Sequence, residues 1–269
     1  MKKSKVLGVS VNDYGGDGIP LIFVHSFPLS SKMWDRQVEY FKDKYRVITF
    51  DTRGLGESTT EDNVYSMEKL VNDFFHILNN LKVQKVNACG LSMGGYILLR
   101  AILKDSERFN SLILVNTKTK KDDDEVILKR SSAVIKIQSG GREAYLQKLL
   151  PKLISTDTPD LERLIKNIIS ENSDEGICGN ILALSTRTNT TDKLKELNIP
   201  LLLLSGKDDK INSDIETDDM FRLLRENRKH TLYTALIKMN DCGHLCNIEK
   251  PEEFNKILDW FLKGIEISS

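Results

Sequence analysis

Short apolar runs that alternate with amphipathic helix patterns are the feature that most restricts the fold of this sequence. The runs cover residues 21–24, 46–50, 86–89, 112–115 and 201–204. Continuous rather than alternating hydrophobicity is typical of strands covered on both faces, as in a parallel sheet. Between the runs, residues 67–81 carry apolar side chains at three- and four-residue steps, which predicts a helix. The alternation therefore predicts an α/β fold with a mostly parallel, doubly wound sheet.

The alternation is interrupted between residues 118 and 191. This segment contains no convincing strand, and helical patterns cover residues 126–137, 145–153, 161–169 and 177–184. We therefore expect a core domain formed by residues 1–117 and 192–269, with residues 118–191 inserted between two strands as a helical cap, or lid. The charge run 120–125 opens this insertion. We expect its acidic residues to lie at a helix N-terminus and to remain solvated.

The composition argues against several classes of function. The 269 residues contain 39 basic and 39 acidic side chains, so the formal net charge is zero and gives no electrostatic reason to expect nucleic acid or an anionic membrane as a partner. Four cysteines in a chain of this length favour reduced thiols over a disulfide framework. The apolar run after the lysine-rich start is too short for a signal peptide, and no run approaches membrane-spanning length. These observations predict a cytoplasmic protein.

The motif Cys242-x-His244-x-Cys246 raises the question of a metal site. A structural zinc ion usually takes four protein ligands, commonly from two paired motifs. The other two cysteines, Cys89 and Cys178, lie in a predicted strand and in the helical insertion, so no second cluster is available. We therefore expect no metal and no cofactor, and interpret the cysteines as small apolar fillers.

A G-x-S-x-G motif, Gly90-Leu91-Ser92-Met93-Gly94, follows the apolar run at 86–89 and precedes a predicted helix over residues 96–104. A sharp strand-to-helix turn projects the serine clear of the sheet, and the flanking glycines allow the chain to pass close by. The helix N-terminus stabilises negative charge at the same place. Ser92 is thus a candidate nucleophile; the alternative interpretation is that it only caps the helix.

A serine nucleophile needs a general base, and His244 is the best candidate among the four histidines. His76 falls on the polar side of its helix, and His230 reads as a loop or strand-edge residue. His25 ends a strand near the site, where its neighbours suggest another role. His244 follows the last predicted strand, at the end of the sheet where Ser92 also lies.

The acid that orients the imidazole is expected after the strand at 201–204, because chain order in this architecture is Ser, then Asp or Glu, then His. Asp208 and Asp209 both follow Gly206. The acid normally lies three residues after the glycine, so Asp209 is preferred over Asp208. The segment after residues 112–115 offers Asn116 but no carboxylate until Asp122.

Together these motifs resemble the α/β-hydrolase family, over nearly the whole chain. They are His25-Ser26-Phe27-Pro28, Trp34, the D-x-R-G-x-G-x-S motif at 51–58, the elbow at 90–95, Gly206 to Asp209, and Gly243-His244 followed by Glu249, Pro251 and Phe254. The Ser-Met-Gly-Gly elbow and residues 183–200 look most like the enol-lactonase and small serine esterase branch.

The resemblance implies an oxyanion hole formed by the backbone N–H groups of Phe27 and Met93. Ser26 occupies the position where the family usually has glycine, and it could shift the turn if a positive φ is required there. Loss of one oxyanion donor costs on the order of 3 kcal/mol. Leu91 and Trp34 are candidates for the pocket wall, although both could equally belong to the core.

The resulting hypothesis is a serine hydrolase, a carboxylesterase or lactonase, with the triad Ser92, Asp209 and His244 and a small ester or lactone as substrate. Two alternatives remain open on the same scaffold. One is a ligand receptor or regulatory binding protein that retains the triad. The other is a non-hydrolytic use of the triad, as a lyase or perhydrolase. The sequence determines neither the acyl length of the substrate nor the oligomeric state.

Overall fold

The computed structural model describes residues 1–60, 62–155, 158–227 and 233–268. Their strands form one sheet in the order β1-β2-β4-β3-β5-β6-β7-β8. Neighbouring strands from β4 to β8 pair in parallel, whereas β1 and β2 pair antiparallel. The sheet therefore confirms the predicted α/β class. The strands are β1 (Lys2–Val6), β2 (Val9–Asp13), β3 (Leu21–Val24), β4 (Val47–Phe50), β5 (Val86–Leu91), β6 (Phe109–Val115), β7 (Leu201–Gly206) and β8 (Thr234–Met239).

Helices cover both faces of this sheet. None of those in the described residues is long and apolar enough to span a membrane. The α-helices are α1 (Asp35–Phe41), α2 (Met67–Asn80), α3 (Met93–Lys104), α4 (Asp124–Lys136), α5 (Arg142–Leu153), α6 (Pro159–Ser170), α7 (Asp174–Ser185), α8 (Thr191–Leu194), α9 (Asp214–Asn227), α10 (Cys246–Glu249) and α11 (Pro251–Ser268).

Continuous apolar runs form the middle of the sheet, as predicted. Every residue of β3, β4, β5 and β7 is buried, because helices pack on both faces. Trp34 and Leu91 belong to the core: both are fully buried, and the Trp34 ring lies 4.8 Å from that of Phe23 and 6.0 Å from that of Phe254. These contacts favour the packing interpretation of Trp34 over the pocket-wall one.

The sequence patterns did not predict the hairpin of β1 and β2. It turns at Leu7 and Gly8, which both have positive φ, and it pairs through β2 with β4. Most side chains of β1 are exposed, so this edge strand lacks the continuous hydrophobicity of the central strands. The acidic helix α9 was also not predicted, and α3 begins three residues before the predicted range 96–104.

Helices α4 to α8 lie between β6 and β7, and none of the described residues from 118 to 191 forms a strand. The residues at which the chain enters and leaves this segment are hydrogen-bonded to each other. Thr190 N donates to Thr119 O at 3.0 Å, and the hydroxyls of Thr119 and Thr191 are 2.8 Å apart. A further contact comes from Asn172, which accepts from Gly56 N and donates to Pro28 O, both at 2.6 Å.

The charge run 120–125 is only partly solvated, which corrects the prediction for one residue. Asp123 caps α4 by accepting from Val126 N at 2.8 Å, and Asp124 and Glu125 are exposed. Asp122, in contrast, is buried and accepts from the guanidinium groups of Arg130 and Arg187. Burial by itself would raise the pKa of Asp122, but the two guanidinium groups outweigh it and hold the pKa below the ordinary 3.8.

We predict that Asp122→Asn destabilises the protein by about 3–5 kcal/mol, because it leaves the buried Arg187 without its counter-ion. Since the folded pKa of Asp122 lies below its unfolded value, its stabilising effect is present above about pH 4 and is lost as the pH falls. Urea unfolding at pH 7 measures the free energy.

The matched control is Asp124→Asn on the same turn, where the side chain is exposed. Surface substitutions of this kind change stability by about 0.5 kcal/mol or less. Equal unfolding midpoints for the two variants would contradict a stabilising role of the Asp122 cluster.

Candidate active site

Ser92 lies at the sharp corner between β5 and α3. Its backbone has φ +53° and ψ −111°, a strained conformation for a residue with a side chain. Ser92 N donates to Val115 O at 2.9 Å, and Ser92 O accepts from Tyr96 N at 3.0 Å. A side chain at Gly94 would collide with the carbonyl of Val24, so glycine is required there by close approach. The turn thus has the geometry that the G-x-S-x-G spacing predicts.

The structure brings His244 and Asp209 together. The imidazole Nδ1 of His244 lies 2.8 Å from Asp209 Oδ2, and both side chains are almost completely buried. The other carboxylate oxygen of Asp209 accepts from Ile211 N at 2.7 Å and from Asn212 N at 3.1 Å. These N–H donors fix the carboxylate, so one oxygen remains directed at the imidazole. Asp208 is exposed.

Strand order explains how these residues converge. Ser92 follows β5, Asp209 follows β7 by three residues and His244 follows β8. β5 and β7 lie on either side of β6, and β8 lies next to β7. All these strands are parallel, so their carboxyl ends lie at the same edge of the sheet. Asn116, which follows β6, donates its amide to the carbonyls of Gly243 and His244. Because Asn116 carries no carboxylate, it is not among the site residues that the sequence predicts.

The turn after β3 packs against the start of α3. Met93 is the first residue of that helix and is fully buried. The carbonyls of Val24 and His25 lie within contact range of a side chain placed at Gly94, so α3 approaches the end of β3 closely. Ser26 does not have a positive φ; its N–H points to Met33 Sδ at 3.2 Å. The serine therefore fits this turn without left-handed strain.

His25 is a structural residue of this turn. Its Nδ1 lies 2.9 Å from Ser26 O, and its Nε2 accepts from Thr52 N at 2.8 Å. A ring that donates through Nδ1 and accepts through Nε2 is the neutral tautomer. Complete burial lowers the pKa of His25, and the nearby Asp51 only partly opposes this effect. The ring therefore links the turn after β3 to the loop after β4 as an uncharged group.

The remaining histidines and the cysteines have no comparable geometry in the described residues. His76 is exposed on α2, and His230 lies outside the described residues. All four cysteines are buried thiols, and burial raises the pKa of Cys246 well above its ordinary value. Within residues 1–60, 62–155, 158–227 and 233–268, no group of three or more His, Cys, Asp or Glu side chains could hold a metal ion.

Glu249 connects the loop of His244 to the helical segment. Its carboxylate accepts from Gly243 N at 2.9 Å, and from Ser155 N and Oγ at 2.8 and 2.7 Å. Beside it, Leu245 N donates to Leu153 O at 3.0 Å. The sequence identified Glu249 only as part of a family motif; its bonding role becomes visible in three dimensions.

Proteins of known family are similar to this chain over much of its length. A family model described as alpha/beta hydrolase fold matches residues 19–162. The 3-oxoadipate enol-lactonase 2 of Acinetobacter baylyi is 29% identical over 245 residues, which are 90% of this chain and 88% of the relative. A thermophilic esterase from Thermogutta terrifontis, solved with malate bound, superposes with a TM-score of 0.90 at 29% identity and covers 98% of this chain and 99% of its own.

A second solved structure supports the fold. The enol-lactonase from Burkholderia xenovorans LB400 superposes with a TM-score of 0.85 at 23% identity, over 97% of this chain and 100% of its own.

We predict that the imidazole of His25 stays neutral, with its proton on Nδ1, as the pH falls from 8 through 6.5. Burial lowers its folded pKa, so the group contributes stability at pH values above the unfolded pKa of about 6.5 and loses it at lower pH. Nitrogen-15 NMR shifts of the ring measure this directly. The urea-unfolded chain is the control, in which the same ring titrates near 6.5. A His25 ring that is charged at pH 6.5 in the folded protein would contradict the assignment.

Proposed function

The chain belongs to the α/β hydrolase fold family, and from this premise we propose that it is a serine hydrolase that cleaves small carboxylic esters or lactones. The observation that carries the proposal is the buried contact between His244 Nδ1 and Asp209 Oδ2, at the sheet edge where the Ser92 turn opens. The enol-lactonase and esterase relatives support the same reaction class. They agree with the branch that the sequence motifs indicate.

In the proposed reaction, Ser92 Oγ attacks the carbonyl carbon while His244 Nε2 takes its proton. Asp209 accepts the Nδ1–H of the ring, which fixes the tautomer and stabilises the imidazolium. The imidazolium then protonates the leaving alkoxide as the carbon–oxygen bond breaks. Water, deprotonated by His244, attacks the acyl-serine; the bond between the acyl carbon and Ser92 Oγ breaks, His244 returns the proton to Oγ, and the carboxylic acid leaves. In a lactone, the alcohol and the acid remain parts of one product.

The developing oxyanion is held by the backbone N–H groups of Phe27 and Met93 in this proposal. Met93 lies at the N-terminus of α3, where unsatisfied amides and the helix dipole favour negative charge. Because His25 is bonded through both ring nitrogens and stays neutral, it contributes to the placement of the turn rather than to proton transfer.

We further propose that residues 118–191 act as the cap over the site. A cleft of about 170 Å³, lined by Leu150, Pro151, Ile154, Ser155, Glu162 and Lys210, opens between this segment and the turn that carries Asp209. Its apolar side chains come from α5 and its end, so the helical segment would contribute to the selection of the acyl or alcohol group.

We predict that a fluorophosphonate labels Ser92 stoichiometrically and abolishes hydrolysis of p-nitrophenyl acetate. Ser92→Ala should take up no label and lose on the order of 10⁶-fold in kcat. Peptide mass spectrometry locates the adduct, and Ser106→Ala, at an exposed position beyond α3, is the control. A folded protein that is not labelled, or that binds the ester with a single turnover only, would contradict the hydrolase proposal; product analysis separates hydrolysis from a lyase or perhydrolase step.

We also predict that Asp209→Asn lowers kcat by about 10⁴-fold, because an amide no longer holds the imidazole in the required tautomer. Asp208→Asn is the matched control, since its side chain is adjacent in sequence but exposed. Steady-state kinetics with p-nitrophenyl acetate measure both variants. Equal losses in the two variants, or a loss only in Asp208→Asn, would overturn the assignment of Asp209.

A further inference from the structure

The segment at the end of β6 includes no residue of the proposed triad, yet it lies between strands that lead to triad residues. The segment consists of Val115, the last residue of β6, and of Asn116 and Thr117 after it, and all three are buried. On one side β6 pairs with β5, which leads to Ser92, and on the other with β7, which leads to Asp209. Such a position allows one residue to contact several catalytic loops.

The carboxamide of Asn116 binds two of these loops at once. Its Oδ1 accepts from Gly206 N at 2.9 Å, at the start of the turn that carries Asp209. Its Nδ2 donates to His244 O at 2.8 Å and to Gly243 O at 3.1 Å, and it lies 3.7 Å from Cys246 Sγ. The side chain therefore holds the acid turn and the base loop at a fixed separation.

The backbone of the same segment completes the connection. Asn116 N donates to Leu204 O at 2.9 Å, and Asn116 O accepts from Asn212 Nδ2 at 2.7 Å. Asn212 also donates its backbone N–H to Asp209 Oδ1. Thr117 Oγ1 donates to Ser92 O at 3.0 Å. All three loops that carry the proposed triad are thus bonded to this segment.

The chemistry of the site selects asparagine. The side chain must present an acceptor to one N–H and donors to two carbonyls, in a space with 1% exposure. An aspartate has the same shape, but its carboxylate would face two carbonyl oxygens with no proton to donate. The backbone φ of +44° also favours asparagine, which is one of the residues enriched in the left-handed region.

We infer that Asn116 is a positioning residue: it sets the distance between the acid turn and the base loop and so maintains the hydrogen bond between Asp209 and His244. This inference rests on the proposed function for its effect on catalysis. Its effect on the Asp209–His244 bond is independent of any activity.

The test is Asn116→Asp, read by kinetics and by the downfield proton resonance of His244 Nδ1–H. Displacement of catalytic groups by about 1 Å costs on the order of 10²-fold in rate, so we expect kcat to fall by about that factor with little change in KM. The downfield resonance should be lost or should move upfield. Asn110→Asp is the matched control at the opposite end of β6, where the amide bonds only to Asn87 among the contacts described. It should change stability without changing kcat or the resonance.

Where Asn116→Asp does not fold, Asn116→Gly carries the same readouts, because glycine keeps the left-handed backbone and removes the side-chain bonds without adding a charge. A folded variant with unchanged kcat and an unchanged resonance would overturn the inference. Failure of the proposed function shows itself differently: the wild-type protein would then lack esterase activity, while the resonance would still respond to Asn116→Asp.

Discussion

The parallel register of β5 to β8 is the constraint on which the rest of the site depends. Leu91 pairs with Val115, Val115 with Leu204, and Gly206 with Met239, so the strands end almost level with one another. Side chains alternate between the faces of a strand, so a shift of one residue in any pair would turn the following loop to the wrong side of the sheet. Helix packing on both faces buries β5, β7 and most of β6, and makes such a shift costly. The loops that carry the candidate triad inherit their relative positions from this register.

The strained backbone of Ser92 is held in place by the strands and the helix around it. A residue in a sparsely populated region of φ and ψ costs about 1–3 kcal/mol and persists only where its surroundings determine it. Here Ser92 is bonded through its N–H to the end of β6 and through its carbonyl to Thr117 and Tyr96. The glycines of the elbow allow α3 to approach β3 closely. Strain at one residue is therefore supported by contacts from three neighbouring elements.

The sequence predicted those parts of the structure whose signals are local. Central strands were recognisable because burial on both faces leaves an uninterrupted apolar run, and the elbow because its glycine spacing reflects close backbone approach. The hairpin of β1 and β2 was missed, because an exposed edge strand need not be apolar. Asp122 was interpreted as solvated because its partner Arg187 is 65 residues away. Asn116 is not predicted for a related reason. Its role consists of hydrogen bonds to backbone groups of distant loops, and such bonds leave no pattern in the sequence.

One carboxylate joins the helical segment to the loop of the candidate base. Glu249 accepts from Gly243 N on one side and from Ser155 on the other. If α5 moved away from the core, the carboxylate would lose both donors of Ser155, and the contact between the two segments would be broken. The conformation of the loop that carries His244 and the packing of α5 against the core are therefore coupled through this carboxylate. By reciprocity, whatever favours one of them favours the other to the same extent in free energy.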